Sequence, residues 1–103
     1  MNHVEDIKKY TETVDEAVVA SMEKTYRLVL SKPDSALVAF TDEAEVETVK
    51  KNFIAGKLGV TDSAAADAAI KAVGEKMAGV TRRGRLTVYY LIAEELGKLD
   101  ALR

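Results

Sequence analysis

The sequence predicts an all-α protein, a compact single-domain bundle of about five helices over residues 1–103. Apolar residues recur every three or four positions in most segments, and capping residues and glycines separate those segments. A chain of 103 residues, 48% hydrophobic and 31% charged, has room for one ordinary globular core. One proline and six glycines leave no long linker.

The N-terminal part predicts two helices. The first covers residues 2–10, and the second begins at a Thr-x-x-Glu capping box, Thr13 to Glu16. The second helix carries a buried stripe with spacings of four, three and four residues: Val18, Met22, Thr25 and Val29. Pro33 ends this helix near Ser31, because proline cannot continue a helix.

Residues 34–40 predict a buried connection. The segment Ala36 to Phe40 is apolar throughout and fits a helical turn, an extended crossing or a short strand. No second segment alternates with the period of two that a strand partner requires. The conformation of this segment therefore stays open.

Two further helices follow, over residues 42–58 and 62–78. Acidic residues crowd the start of the first and lysines its end, as the helix dipole favours, and Gly59 suits the position after it. Thr61 or Ser63 is expected to cap the second, whose many alanines allow a neighbouring helix to approach closely.

The last helix is predicted at about residues 85–99, at the centre of the bundle. It is apolar on nearly every side from Leu86 to Leu96, so it is either central or covered by another chain. Tyr89 and Tyr90 point about 100° apart on such a helix. Core packing of both rings and a dimer interface at Tyr89 and Tyr90 are both open.

Short motifs along almost the whole chain resemble a known family. They are Met1-Asn2-His3, Ile7 to Tyr10, Phe53 with Lys57-Leu58-Gly59, Ala68-Ala69-Ile70, and Tyr89 to Glu94 with Gly97-Lys98-Leu99. The chain resembles a family of short bacterial proteins known only as a domain of unknown function. The resemblance implies a stand-alone bacterial helical domain and brings no activity, ligand or catalytic residue.

Composition argues against most site chemistry. The chain has no cysteine, which excludes disulfides, thiol nucleophiles and thiolate metal sites, and His3 is the single imidazole. No serine lies in a nucleophile motif, and no glycine-rich phosphate loop is present. We therefore predict no catalytic residue, no metal site and no cofactor, although carboxylates or tyrosines that meet only in three dimensions leave an enzyme open.

The charge pattern and the start of the chain bear on location and partners. The opening residues lack a signal peptide, and no apolar run approaches the ~20 residues of a membrane span, so a cytoplasmic protein without membrane contact is expected. Net charge is −2, with acids concentrated in residues 1–47 and bases in residues 48–103. This asymmetry fits attraction between the two halves within the fold or head-to-tail self-association.

Arg82, Arg83 and Arg85 stand at the start of the last helix, where the dipole disfavours cations. They predict a site for a small anion such as phosphate, a carboxylate or a nucleotide. The alternative is that they pair with acids of the N-terminal half, Glu43 or Glu45. Three arginines in a chain of pI 5.4 do not predict nucleic-acid binding.

These observations favour a non-catalytic interaction module. The apolar last helix and the lack of a catalytic motif predict a protein that self-associates as a homodimer or binds a protein partner. Binding of a small anion or nucleotide at Arg82, Arg83 and Arg85 is the alternative function.

Overall fold

Helices form nearly all of the described chain, which comprises residues 3–32, 37–38, 42–80 and 83–102 of a computed structural model. The elements are helices α1 (His3–Ile7), α2 (Glu16–Thr25), α3 (Arg27–Leu30) and α4 (Glu43–Thr48), a π-helix (Val49–Ala55), helices α5 (Ser63–Lys76) and α6 (Arg85–Glu95), and a 3₁₀ helix (Leu99–Leu102). No strand occurs within these described ranges. The all-α prediction is therefore confirmed.

Helix α6 lies at the centre of the bundle, as predicted. Every residue from Leu86 to Ala93 is buried. Helices α1, α2 and α5 and the 3₁₀ helix all pack against it. The apolar character that would also fit a helix covered by another chain is thus accounted for within one chain. The radius of gyration is 12.4 Å, close to the ~13 Å typical of 100 residues.

Aspartates begin three of the helices. The carboxylate of Asp15 accepts hydrogen bonds from two backbone N–H groups of α2, and Asp42 and Asp62 do the same for α4 and α5. The sequence-based assignment of a capping box from Thr13 to Glu16 is therefore wrong, as is the choice of Thr61 or Ser63 as cap. Aspartate is among the strongest capping residues because its short carboxylate reaches the unpaired N–H groups and complements the dipole.

The second predicted helix breaks at Tyr26. This residue has φ −103° and ψ 16°, outside helical geometry, so α2 and α3 are separate segments. The break interrupts the expected stripe: Val18 and Met22 are buried, whereas Thr25 and Val29 are exposed. The break also leaves Leu28 in α3 directed towards solvent, with 77% of the residue exposed.

The third predicted helix changes form midway. After α4 the chain continues as a π-helix of seven residues, with hydrogen bonds from Gly56 N–H to the Lys51 carbonyl (3.2 Å) and from Leu58 N–H to the Phe53 carbonyl (2.9 Å). The wider turn allows Val49, Phe53 and Ile54 all to be buried. Nothing in the apolar spacing distinguishes this arrangement from an α-helix.

Glycines terminate the helices where predicted, but two helices are shorter than expected. Gly59 and Gly79 have φ of +73° and +83°, the left-handed conformation that glycine adopts without strain. Gly97, at φ +67°, follows the end of α6, so the predicted helix over 85–99 stops at Glu95. The first helix covers His3–Ile7 rather than residues 2–10.

The connection between α3 and α4 is described only at Leu37 and Val38. Leu37 forms an isolated antiparallel bridge with Gly84, and the Val38 N–H donates to the Arg83 carbonyl at 2.9 Å. Val38 is buried. The prediction of a buried connection holds at Val38, and the rest of residues 34–40 lies outside the described residues. None of the described helices has the length and apolar character of a membrane span.

Candidate functional site

The N-terminal end of α6, where an anion site was predicted, holds a carboxylate of the protein itself. Gly84 precedes the helix and supplies no side-chain cap. Thr87, fully buried, donates a hydrogen bond from its hydroxyl to the Asp6 carboxylate at 2.5 Å. Asp6 comes from α1, so the acidic N-terminal segment complements the dipole of α6.

Arg85 is held in a network of intramolecular contacts. Its guanidinium bonds to the Glu45 carboxylate (2.6 Å), the Leu37 carbonyl (3.3 Å) and the Tyr89 hydroxyl (2.8 Å). Only 12% of the Arg85 side chain is exposed. Burial by itself lowers the pKa of Arg85, but the hydrogen bond to Glu45 and the interactions with Tyr89 outweigh it, so the pKa is raised and the group stays charged.

Arg83 contacts backbone carbonyls near the end of α5. Its Nε donates to the Val80 carbonyl (3.2 Å) and a terminal nitrogen to the Met77 carbonyl (3.4 Å). These carbonyls are among those a helix end leaves without intrahelical partners. Arg82 lies outside the described residues. Two of the three arginines therefore have internal partners, and Glu45 is one of the two acids expected to pair with them; anion binding at this end stays a prediction.

Tyr89 lies inside an aromatic cluster. Its ring stacks on Phe53, with centroids 4.0 Å apart and planes at 16°, and meets Tyr26 edge-on at 5.5 Å. The Arg85 guanidinium lies 5.6 Å from the centroid of the Tyr89 ring. Tyr89 is 6% exposed, so its ring is occupied by contacts within the chain.

Tyr90 joins α6 to the start of α2. It is 1% exposed, and its hydroxyl accepts a hydrogen bond from the Asp15 N–H at 2.9 Å. The ring fills the core while the hydroxyl satisfies a backbone donor, the default role of a buried tyrosine. The interface predicted at Tyr89 and Tyr90 stays a prediction, and neither ring offers an exposed surface for it.

Tyr26 provides a test of this packing by pH. Burial, and then the neighbouring Tyr89, raises the pKa of Tyr26 from 10.0 to about 12. A raised pKa means that the folded state resists ionisation, so this contribution to stability is complete below pH 10 and is lost as the pH rises towards 12. A tyrosinate absorbance titration should show a late component in the wild type that Tyr26→Phe removes. Equal late absorbance in both proteins would contradict this assignment.

A groove of about 310 Å³ between the π-helix and the start of α5 contains lysines that already have acidic partners. Lys50 lies 2.8 Å from Asp67 and 3.6 Å from Glu47. The hydrogen bond to Asp67 is the largest cause of the raised pKa of Lys50. In the described part of the chain, no three His, Asp or Glu side chains lie close enough to hold a metal ion.

Helix α3 carries the exposed apolar surface of the described chain. Leu28 is 77% exposed and Val29 36% exposed, whereas the other large apolar residues of the described ranges are buried or partly buried. We call Leu28 and Val29 the α3 patch. Sequence reasoning missed it because Val29 was assigned to the buried stripe. The position of Leu28, outside that stripe and next to Arg27, was the available signal.

A second feature lies beside the C-terminal end of α6. An open groove of about 250 Å³ is lined by Ala65, Ala68 and Ala69 of α5 and by Glu95 and Leu96. We call this the α6 groove. Lys76 bridges Glu95 at 2.9 Å and Glu94 at 3.7 Å. One ammonium thus neutralises part of the charge of two carboxylates.

The geometry defines an all-helical domain whose described arginines and buried tyrosines serve its own packing, and whose apolar surface is concentrated on one short helix. Residues 2–100 match the family model described as a protein of unknown function, DUF2853, and the chain belongs to that family. No curated protein is significantly similar to this sequence. The family membership confirms the resemblance seen in the sequence and adds no activity.

Proposed function

We propose that this protein is a non-catalytic protein-interaction module and that the α3 patch is its contact surface. The observation that carries the proposal is the 77% exposure of Leu28 in a chain whose other large apolar side chains are largely covered. Burying an exposed leucine contributes roughly 1.5–3 kcal/mol, which makes this side chain the strongest single source of binding energy on the described surface.

The polar side chains of the core support a binding role over catalysis. Within the described ranges, every buried side-chain nitrogen and oxygen has a hydrogen-bond partner. Thr87 and Asp6 bond each other, and Arg85 is paired with Glu45. A catalytic group has to face substrate, whereas these groups face one another.

The proposal is tested with matched baits. Wild type, Leu28→Gln and Ala64→Gln would each be immobilised and incubated with extract of the cells that make the protein. Ala64 is also exposed but lies in the first turn of α5, away from α3. We expect a retained protein, a second copy of this chain included, whose recovery falls with Leu28→Gln and not with Ala64→Gln.

Circular dichroism of both variants shows whether the fold is intact, as exposed positions on helices lead us to expect. A protein retained equally by the wild type and Leu28→Gln does not count as a partner of the α3 patch. If nothing is retained in a Leu28-dependent way, the proposal is wrong.

A further inference from the structure

We infer that the partner of the α3 patch is a second copy of this chain, which receives Leu28 in its α6 groove. This rests on the proposed function of the α3 patch and names the partner. The contact joins two different surfaces, one on each copy, so it is a head-to-tail association.

The α6 groove suits an apolar side chain. Four of its five lining residues are apolar, and Ala68 is exposed while Ala65 and Leu96 are partly exposed. Alanine side chains keep the floor low, which lets a leucine from another molecule approach the backbone of α5. Leu28, the most exposed large apolar side chain of the described residues, matches this surface in chemistry.

Charge decides between partner surfaces. Three exposed cations, Lys24, Arg27 and Lys32, lie close to Leu28 in the sequence. At the α6 groove, Glu94 and Glu95 share the single ammonium of Lys76, so the rim keeps a net negative charge. Cations around the apolar side chain and carboxylates around the groove attract each other.

The same cations disfavour the symmetric alternative. In a two-fold dimer, the α3 patch of one copy would face the α3 patch of the other. Lys24, Arg27 and Lys32 would then oppose their own counterparts at short range, and like charges across an interface cost binding energy. The acidic α6 groove avoids this repulsion.

Two properties follow from a head-to-tail contact. Each bound copy still offers one free patch and one free groove, so assembly continues with concentration unless the geometry closes a ring. The contact between opposite charges at the surface also weakens as salt is added, because ions screen it. Self-association is therefore expected to grow with protein concentration and to fall with ionic strength.

The test uses sedimentation velocity on the full chain from micromolar to millimolar concentration. We expect an average mass that rises with concentration for the wild type, and association at least about tenfold weaker for Leu28→Gln, which removes the apolar contact. Ala68→Gln places a longer polar side chain in the groove and should weaken association similarly. Ala64→Gln, one turn away on the same helix and outside the groove, should behave as the wild type.

Mixing the two weakened variants is the decisive step. Leu28→Gln keeps an intact groove and Ala68→Gln keeps an intact patch, so an equimolar mixture should form a 1:1 dimer and nothing larger. A wild type that remains monomeric, or a mixture that forms no dimer, overturns the inference.

The outcomes separate this inference from the proposed function. If Leu28→Gln abolishes self-association but Ala68→Gln does not, the groove is the wrong surface and the α3 patch retains its role. If the wild type is monomeric and the baits capture a different protein through Leu28, the proposed function holds and the second copy is excluded. If Leu28→Gln changes neither measurement, both fail.

Discussion

Replacing Phe53 by alanine is expected to lower the free energy of unfolding by about 3–5 kcal/mol. Phe53 is 2% exposed in the π-helix and stacks on Tyr89 with ring centroids 4.0 Å apart. Its removal takes a large apolar side chain out of the core and leaves a cavity against Tyr89, which also loses its stacking partner. Urea unfolding followed by circular dichroism measures the loss.

The neighbouring Asn52 provides the control, because it lies in the same π-helix but is exposed. Asn52→Ala should change the free energy of unfolding by no more than about 0.5 kcal/mol. The near-ultraviolet circular dichroism of the tyrosines should also weaken in Phe53→Ala and not in Asn52→Ala. A loss below about 1 kcal/mol for Phe53→Ala would mean that the stacked ring is not part of the core.

Replacing Glu45 by alanine is the second large effect, at about 2–3 kcal/mol. Removing one partner of a buried ion pair costs roughly 3–5 kcal/mol, because the other charge stays buried without compensation. The expected value is lower here because the Glu45 side chain is 25% exposed and water partly screens the pair. The remaining Arg85 keeps the Tyr89 hydroxyl and the Leu37 carbonyl but loses its carboxylate.

Glu47 is the matched control for Glu45. It lies on the same helix, is also near a cation (Lys50, 3.6 Å), and has a side chain that is 73% exposed. Exposed ion pairs contribute about 0–1 kcal/mol, so Glu47→Ala should have a small effect in the same urea measurement. Equal losses in the two variants would show that the burial of Arg85 does not matter to the strength of its ion pair.

The helical class and the central position of α6 were predictable from the sequence because both depend on apolar spacing. Residues 86–93 are apolar on nearly every side of a helix, and only the middle of a bundle covers such a surface. The glycines that end helices were predictable for a similar reason, since Gly59 and Gly79 have few conformational substitutes.

The break at Tyr26 and the π-helix were not predictable in this way. Both arise from side chains of distant segments: Tyr26 packs against Tyr89, and Phe53 stacks on the opposite side of the same cluster. A periodic pattern reports which residues avoid water, and it does not report which ring they meet. The exposure of Leu28 was hidden because it depends on that break.

The arginine cluster illustrates the same limit at the candidate site. The sequence showed that cations at the start of α6 oppose the dipole, and offered either a ligand or internal acids as the reason. Local spacing cannot select between them, because Glu45 lies 40 residues from Arg85 and Asp6 lies 81 residues from Thr87. Only the packing of α1 and the connection at Leu37 against α6 brings these groups together.

The position of α6 in the chain has a consequence for how the protein is made. The segment that the other helices cover begins at Arg85, so a ribosome has synthesised most of the chain before that segment emerges. Until then, Ile7, Val18 and Met22 have no shared surface to bury against. Folding is therefore a late, all-or-none event after synthesis of α6, and nascent chains expose apolar side chains that chaperones recognise.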